Sequence, residues 1–325
     1  MRLKLKWVIV IESVVILILL AIVLNSHSQE ARISKQSKTG LLSPRIYTGL
    51  LEPKSYMIVN FVPLKHDLEF YIRENNLNAS VYVENLRNGA FMGIDEKAGF
   101  FPTSLNKLPV AILIMKKVEG GELSLDSMLP IRDIDMTDSS GDLYKTKEKE
   151  LPLRIVLEKL LKESDNTALR VLLHQLDLED LQLVLDYYGI DITIENQKGI
   201  TQNNMVTPKS ISNLFISLYF STVLEPHNSE YILSLLEDTV FDAKKIAGIP
   251  DSVTIAHKFG ENYRDDNKFF HDCGIMYINE SRIFYCIMTK NLDEDDAERV
   301  IGSIVNEIYN YVVITKSKYQ AFKNS

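Results

Sequence analysis

Hydrophobic and polar positions follow two different periods along this chain. Short strand-like runs, "ASVYVENL" and "AFMGID", flank Arg87-Asn88-Gly89, and three more, "SVTIAHKFG", "CGIMYIN" and "RIFYCIMTK", lie after residue 251. An Asn-Gly pair between two such runs predicts a β-hairpin. Between about residues 122 and 245 the apolar residues mostly recur three and four apart, which predicts a series of helices. The same spacing predicts helices at 64–75 and 296–313.

The order of these elements predicts an α+β fold. A lone hairpin is marginally stable, so the strands near both ends of the sequence are expected to share one sheet. The helical block is then an insertion. We expect an α/β lobe at 64–115 and 246–318, an all-α lobe at 116–245 and a tail at 319–325. A cleft between two such lobes is a preferred place for a functional site.

The N-terminus carries an apolar segment. Residues 7–24 contain one charge, Glu12, and follow Arg2, Lys4 and Lys6. This run is just long enough to span a bilayer, and the preceding positive charges place the N-terminus inside. The pattern predicts a membrane anchor at 1–25, a tether at 26–63 and a domain outside the cytoplasm. A cleaved signal peptide is the alternative, and it gives the same location for the domain.

Composition narrows the function. The net charge is -8 and no basic tract follows the N-terminus, which argues against nucleic-acid binding. The two cysteines, Cys273 and Cys286, lie in apolar runs and are expected in the core, where a disulfide is possible but not required. No Cys/His cluster has zinc spacing, so neither metal nor cofactor is predicted.

Ser104 and Lys107 are the first residues that suggest chemistry. They are three residues apart where a helix is expected to begin, and they therefore share a face. A lysine whose pKa is lowered by burial can take the proton of a serine and activate it as a nucleophile. A capping serine beside an unrelated lysine is the plainer alternative for these two residues alone.

Two further motifs follow in order. Ser164-Asp165-Asn166 begins a new helix, as a capping triplet would, and Lys258-Phe259-Gly260 ends an apolar strand. Ser-x-x-Lys, Ser-Asp-Asn and Lys-Thr-Gly occur together in class A β-lactamases and penicillin-binding proteins. From about residue 65 to 315 the chain resembles this serine hydrolase family. The resemblance implies a five-stranded antiparallel sheet flanked by helices, with an inserted all-α lobe.

The resemblance also implies roles for the residues of the first two motifs. Ser104 would be the acylated nucleophile, and Lys107 would accept its proton. Ser164 would pass a proton to the leaving nitrogen, and Asn166 would hold the substrate amide.

The third motif is assigned in the same way. Lys258 would supply positive potential near Ser164 and the substrate carboxylate, while Gly260 would let the strand approach the ligand. The backbone N–H groups of Ser104 and Glu261 would form the oxyanion hole.

The chain departs from the family pattern at Phe259, which replaces a hydroxyl residue that donates to the substrate carboxylate. Asn262, Tyr263 or Arg264 could take over that contact. The departure also leaves open a catalytically inactive module that binds peptidoglycan in the same cleft.

A second departure concerns deacylation. Class A β-lactamases carry a glutamate between the second motif and the "TP" helix, within an Arg-x-x-Glu-x-x-Leu-Asn-like run that is not visible here. "DITIENQKGITQNN" has only Glu195, which is either a deacylation base or an ordinary loop residue. A D-Ala-D-Ala peptidase of this family needs no such glutamate. The sequence therefore favours a D,D-carboxypeptidase acting on peptidoglycan stems, with hydrolysis of β-lactam antibiotics as the close alternative.

Overall fold

The computed structural model describes residues 60–192, 194–196, 199–200, 205–263 and 268–324, without the side chains of 194–196, 199–200, 316 and 318–324. The predicted anchor and all but the last four residues of the predicted tether lie outside these ranges. Among the helices that are described, none combines the length and the apolar character needed to cross a membrane.

The elements follow the order that the sequence predicts, with the main strands near the two ends of the described chain and most helices between them. The helices are α1 (Val62–Glu74), α2 (Lys107–Glu119), α3 (Leu153–Lys162), α4 (Asn166–Leu173), α5 (Leu178–Tyr187), α6 (Pro208–Tyr219), α7 (Pro226–Leu235), α8 (Ala243–Ala247) and α9 (Glu294–Asn324). The strands are β1 (Ala79–Asn85), β2 (Phe91–Ile94), β3 (Met128–Pro130), β4 (Glu150–Pro152), β5 (Ile194–Asn196), β6 (Gly199–Ile200), β7 (Thr254–Asn262), β8 (Phe269–Ile278) and β9 (Ser281–Lys290).

A five-stranded antiparallel sheet joins the two ends of the described chain, which confirms the predicted fold class. Its strand order is β2-β1-β9-β8-β7, and β1 pairs directly with β9 through Val83 and Tyr285. The β1–β2 hairpin turns at Gly89, whose φ of 73° suits a glycine. Strand β7 lies at the edge of the sheet, so one side of its backbone faces away from the other strands.

Each face of the sheet covers its own apolar core. The outer face packs against α1, α8 and α9 through residues such as Ile255, Ile287 and Ile304. The inner face packs against the helical block, where Phe215 contacts Phe284. Helix α2 lies in this inner core, and every residue from Lys107 to Met115 is buried. A helix enclosed on all sides needs no polar stripe, which explains its nearly continuous apolar sequence.

Three features differ from the sequence prediction or were left open by it. The ribbons β3–β4 and β5–β6 interrupt the helical block, and their strands are too short to give a recognisable alternation. Helix α1 begins at Val62 rather than residue 64, and α9 extends to Asn324. Cys273 and Cys286 face each other in register on β8 and β9 and form a disulfide.

Candidate active site

Ser104 lies in a 3₁₀ turn, Thr103–Asn106, directly before α2. Thr103 adopts a φ of 48°, a left-handed conformation that is costly for a β-branched residue and that marks a constrained turn. Lys107 is the first residue of α2, and its Nζ lies 3.0 Å from Ser104 Oγ. Ser104 is partly exposed whereas Lys107 is buried, so the hydroxyl can meet a ligand while the amine stays dry.

The Lys107 amine has three oxygen neighbours. They are Ser104 Oγ, Ser164 Oγ at 3.1 Å and the Ser164 carbonyl oxygen. Burial lowers the pKa of Lys107 to about 7, against the opposing charges of Asp165 and Glu261. A neutral amine has two N–H groups for the Ser164 oxygens and one lone pair for the Ser104 hydroxyl proton. The arrangement therefore suits Lys107 as the proton acceptor for Ser104.

In the Ser164-Asp165-Asn166 motif, Asp165 stabilises the local structure and Ser164 contacts the two lysines of the site. Asp165 caps α4 by accepting a hydrogen bond from the Ala168 N–H at 2.8 Å, and it also accepts one from Leu143 N–H at 2.8 Å. Ser164, by contrast, has a φ of 55° and turns its side chain toward the two motif lysines. The cap fixes the turn, and the turn places the Ser164 hydroxyl beside Lys107.

Lys258 reaches the same hydroxyl from the sheet. Its Nζ donates to Ser164 Oγ at 2.9 Å and to the Phe259 carbonyl at 2.8 Å. Complete burial holds the pKa of Lys258 well below its usual range, and the charge of Lys107 lowers it further. Because the two lone pairs of Ser164 Oγ can accept from the two lysines, its own proton is left to donate elsewhere.

The edge of β7 supplies a backbone donor to the same place. His257 N–H donates across the sheet edge to Leu236 O, so N–H groups two and four residues later point out of the same edge. Glu261 N–H is one of them. The neighbouring Gly260 packs so closely on the turn that a Cβ there would lie 2.1 Å from Thr103 Oγ1 and 2.8 Å from Ser104 N. The N–H groups of Ser104 and Glu261 thus border one space, as an oxyanion hole requires.

Asn166 lies at the mouth of the cleft. Its side-chain amide donates to Ser139 Oγ at 2.7 Å, and its backbone N–H donates to Ser140 O at 3.1 Å. The side chain is partly exposed, and the carboxamide oxygen faces no partner that is described. The structure thus gathers five of the other predicted site residues around Ser104 and places Asn166 at the rim of the cleft.

A buried network behind β7 was not predicted. Asp272 lies 2.7 Å from His257 Nδ1 through one oxygen and accepts a hydrogen bond from Tyr285 at 2.6 Å through the other. His257 Nε2 lies 2.9 Å from Thr239 Oγ1. The sequence pattern alone favours His257 as a packed strand residue and Asp272 as strand-end structure. Only the register of β7 on β8 brings them together, which no local pattern reveals.

Three carboxylates near the site could in principle hold a cation. Asp142, Glu163 and Asp165 offer oxygens within 4.8 Å of one another. Lys159, however, bonds Asp142 at 2.7 Å and Glu163 at 2.8 Å, and Asp165 is committed to its cap. The group therefore fits an ion-pair cluster better than a metal site.

The structure describes some of the residues at which the sequence departs from the family pattern. The Phe259 ring packs against Phe241 and Phe270 in the outer core, and Lys258 Nζ lies 4.4 Å from its centroid. Among the described residues no partner faces the buried Tyr263 hydroxyl. Arg264 lies outside the described residues. For Glu195 the backbone is described, in β5, but the side chain is not.

Comparisons with known proteins identify related sequences and related folds. The sequence model of the beta-lactamase enzyme family matches residues 63–312. Beta-lactamase VEB-1 from Pseudomonas aeruginosa is 22% identical over 264 residues, which cover 75% of this chain and 88% of the relative. A PBP-A variant in an acyl-enzyme complex with penicillin G has a TM-score of 0.67 and 23% identity, covering 81% of this chain and 97% of its own. TLA-3 extended-spectrum beta-lactamase has a TM-score of 0.71 and 18% identity, with 78% and 100% covered. The structural likenesses show a shared fold.

Proposed function

This chain belongs to the beta-lactamase enzyme family of serine hydrolases that act on amide bonds, and we propose that it cleaves the amide after a D-alanyl residue in peptidoglycan stem peptides. The observation that carries the proposal is the 3.0 Å distance between Ser104 Oγ and Lys107 Nζ. Burial lowers the pKa of this amine to about 7, so that it can accept the hydroxyl proton. The sequence favours the carboxypeptidase form of this reaction, in which free D-alanine leaves.

The first step is attack by Ser104 on the amide carbonyl. Lys107 takes the hydroxyl proton as the bond from Oγ to the carbonyl carbon forms. The negative charge moves to the carbonyl oxygen, where the N–H groups of Ser104 and Glu261 stabilise it. The product of this step is a tetrahedral adduct and a protonated Lys107.

The second step expels the amine. The proton held by Lys107 passes to Ser164, whose own proton moves to the leaving nitrogen. The C–N bond then breaks and leaves an acyl-enzyme on Ser104. Lys258 fixes the Ser164 hydroxyl from the opposite side, so the transfer needs no rearrangement of the turn.

In the last step water attacks the acyl carbonyl carbon and gives a proton to Lys107, the ester bond to Ser104 Oγ breaks, and that proton returns to Ser104 as the free acid leaves. This step favours a peptidase over a β-lactamase. The connection between α5 and α6 contains the short ribbon β5–β6 and, in sequence, the single glutamate Glu195. A peptide acyl group needs no dedicated glutamate in this family, whereas rapid release of a β-lactam acyl group does. β-Lactam hydrolysis is the second candidate, because VEB-1 and TLA-3 are named for it.

Intact mass spectrometry with benzylpenicillin tests the proposal. The protein and its Ser104→Ala variant are mixed with the drug and followed over time. A long-lived adduct that the variant lacks is the expected result. A fleeting adduct with accumulating penicilloate would establish a β-lactamase instead. Absence of an adduct, together with no cleavage of any D-alanyl amide, whether or not its leaving group bears a carboxylate, would favour the inactive binding module that Phe259 suggests.

We also propose that the apolar segment at 7–24 anchors the protein with its catalytic domain outside the cytoplasm. The charge pattern at the N-terminus and the Cys273–Cys286 disulfide support this location, since disulfides persist in oxidising compartments. Alkaline carbonate extraction of membranes, with protease added to intact spheroplasts, tests it. Release into the soluble fraction, or protection from the protease, would contradict the anchor or its orientation.

A further inference from the structure

A cleft of about 1010 Å³ runs along β7 beside the proposed catalytic residues. One end is lined by Ser139, whose hydroxyl accepts a hydrogen bond from Asn166. Phe259 and Glu261, the residues before and after Gly260 in the sequence, also line it. Residues 259 and 261 point to the opposite face of the strand from Lys258. We call this space the β7 cleft. It occupies the side of the strand where the family pattern places a hydroxyl that donates to the substrate carboxylate.

The walls of the β7 cleft are aromatic and acidic. Phe241, Phe259 and Phe270 form an apolar wall with ring centroids 5.0 to 6.5 Å apart. Five carboxylates line the cleft, namely Asp142, Glu163, Asp242, Glu261 and Glu298, beside one cation, Lys245. Lys159, which lies outside the lining, already pairs with two of them, Asp142 and Glu163. Asp242 caps α8 by accepting a hydrogen bond from Lys245 N–H at 3.0 Å. Glu261 and Glu298 remain, and Lys245 is the only described cation in the lining.

The electrostatics of Glu261 indicate a negative potential in the cleft. Partial desolvation, followed by the charges of Glu294 and Glu298, raises the pKa of Glu261. The pKa of Glu298 is raised in the same way, by desolvation and by Glu294 and Asp295. Lys258 and Lys107 lower the pKa of Glu261, but by less than desolvation and the two glutamates raise it. A carboxylate entering this space would meet like charge where the family pattern expects a donor.

We propose that the β7 cleft receives the leaving-group side of the substrate and selects an amine that bears no free α-carboxylate. The favoured leaving group is cationic, with an apolar stem against the Phe259 wall and an ammonium group near Glu261; an amide-capped residue is the next best. Aromatic faces and carboxylates are both suited to ammonium groups. The inference rests on the proposed function and narrows it, replacing the carboxypeptidase form that the sequence favours. The substrate is a D-alanyl amide of a primary amine without an adjacent carboxylate, as in a stem cross-linked or modified through such an amine, rather than a free D-Ala-D-Ala end.

Three matched substrates test the inference on the full-length protein in detergent. They are diacetyl-L-Lys-D-Ala-D-Ala, the same peptide with a C-terminal carboxamide, and diacetyl-L-Lys-D-Ala aminoethyl amide. Release of each amine is followed by chromatography to give kcat/KM. We expect the aminoethyl amide to exceed the free acid by at least about tenfold, equivalent to about 1.4 kcal/mol, with the carboxamide between them. Equal values, or a faster free acid, would overturn the inference and leave the proposed function standing.

Charge reversal at Glu261 tests whether this residue causes the preference for the aminoethyl amide over the free acid. Glu261→Lys keeps the backbone N–H and should reduce or invert the preference for the aminoethyl amide. Glu74→Lys makes the same change in net charge on exposed α1, away from the cleft, and should leave the ratio of the two kcat/KM values unchanged. An unchanged ratio in Glu261→Lys would remove Glu261 from the proposal.

Binding separates failure of this inference from failure of the proposed function. If no peptide is cleaved and Ser104 is never acylated, the proposed function is wrong. Calorimetric titration of the Ser104→Ala variant with the three peptides then decides the cleft on its own. Tighter binding of the aminoethyl amide would support the inference, whereas tighter binding of the free acid, or no binding, would overturn it.

Discussion

The hydroxyl oxygen of Ser164 lies 2.9 Å from Lys258 Nζ, although the two residues are 94 positions apart in the chain. Ser164 belongs to the turn between α3 and α4, and Lys258 belongs to β7 at the edge of the sheet. This one hydrogen bond connects the helical block to the sheet inside the site. Because Lys107 Nζ lies 3.1 Å from the same oxygen, Ser164 can pass a proton away from Lys107 while Lys258 holds it in place.

Ser164→Ala should therefore slow amine expulsion more than carbonyl attack. We expect cleavage of a D-alanyl amide to fall by roughly 10²- to 10⁴-fold, since that is the usual contribution of a positioned proton donor. A D-alanyl thioester has a leaving group that needs no proton, and its loss should be at least about tenfold smaller. Rates of both substrates, measured on one preparation, check this. Equal losses would show that Ser164 orients the site without donating a proton.

The pH dependence of acylation should report the Lys107 amine. Lys107 must be neutral to accept the Ser104 proton, and burial lowers its pKa to about 7. Acylation by benzylpenicillin should rise about tenfold per pH unit below pH 7 and level off above it, because the fraction of neutral amine follows that curve. Rapid mixing and chemical quenching, followed by intact mass spectrometry, give the acylation rate at each pH.

Lys107→Arg provides the control for this profile. A guanidinium stays protonated at every accessible pH, so the variant should acylate poorly throughout and should lack the rise that the wild type shows below pH 7. A wild-type profile that is flat between pH 6 and 8, or a variant that keeps the wild-type rate, would contradict the role of Lys107.

Gly260→Ala should damage the site while sparing the fold. The added Cβ would lie 2.1 Å from Thr103 Oγ1 and 2.8 Å from Ser104 N, so the turn that carries Ser104 must move away from β7. A displacement of about 1 Å in a positioned group can cost about 10²-fold in rate, and we expect an acylation loss of that order. Gly120→Ala is the matched control, because its nearest neighbour would lie at 3.5 Å and its φ of -72° suits alanine. Equal acylation in the two variants would show that the close approach of Gly260 has no catalytic role.

The sequence predicted the elements of the fold well because their patterns are long. Strands β7, β8 and β9 are nine or ten residues long and helices α3 to α7 each span two turns or more, so their apolar spacing repeats. A physical argument, that a lone hairpin is only marginally stable, predicted that the strands near both ends share one sheet, but not that β1 pairs with β9. The two ribbons, by contrast, consist of two- and three-residue strands, and a pattern that short carries no signal.

The candidate site was predictable where residues close in sequence carry the information. Ser104 and Lys107 are three apart, so their spacing predicted a shared face, and the two later motifs were needed to predict a catalytic pair. The β7 cleft depends instead on which neighbours gather around Phe259, from α8, β8 and α9. The contact between Asp272 and His257 could not be predicted from the sequence either, because it depends on the register of β7 on β8.

The buried network of His257, Asp272 and Tyr285 leads to a prediction about stability. Both His257 and Asp272 are buried, and Asp272 Oδ1 lies 2.7 Å from His257 Nδ1. Asp272→Asn disturbs both hydrogen bonds of this side chain, and losing two bonds of about 1.5–3 kcal/mol each lowers the free energy of unfolding by about 3–6 kcal/mol. We expect Asp272→Asn to show a loss of that size in urea unfolding followed by circular dichroism.

Tyr285→Phe is the matched comparison, because it keeps the ring and removes only the hydrogen bond to Asp272 Oδ2. A hydrogen bond to a charged group contributes about 1.5–3 kcal/mol, so this variant should lose less than Asp272→Asn. In the double variant the two losses should fall short of their sum, since both changes act on one carboxylate. Simple additivity, or a Tyr285→Phe loss as large as that of Asp272→Asn, would mean that the three side chains do not act as one network.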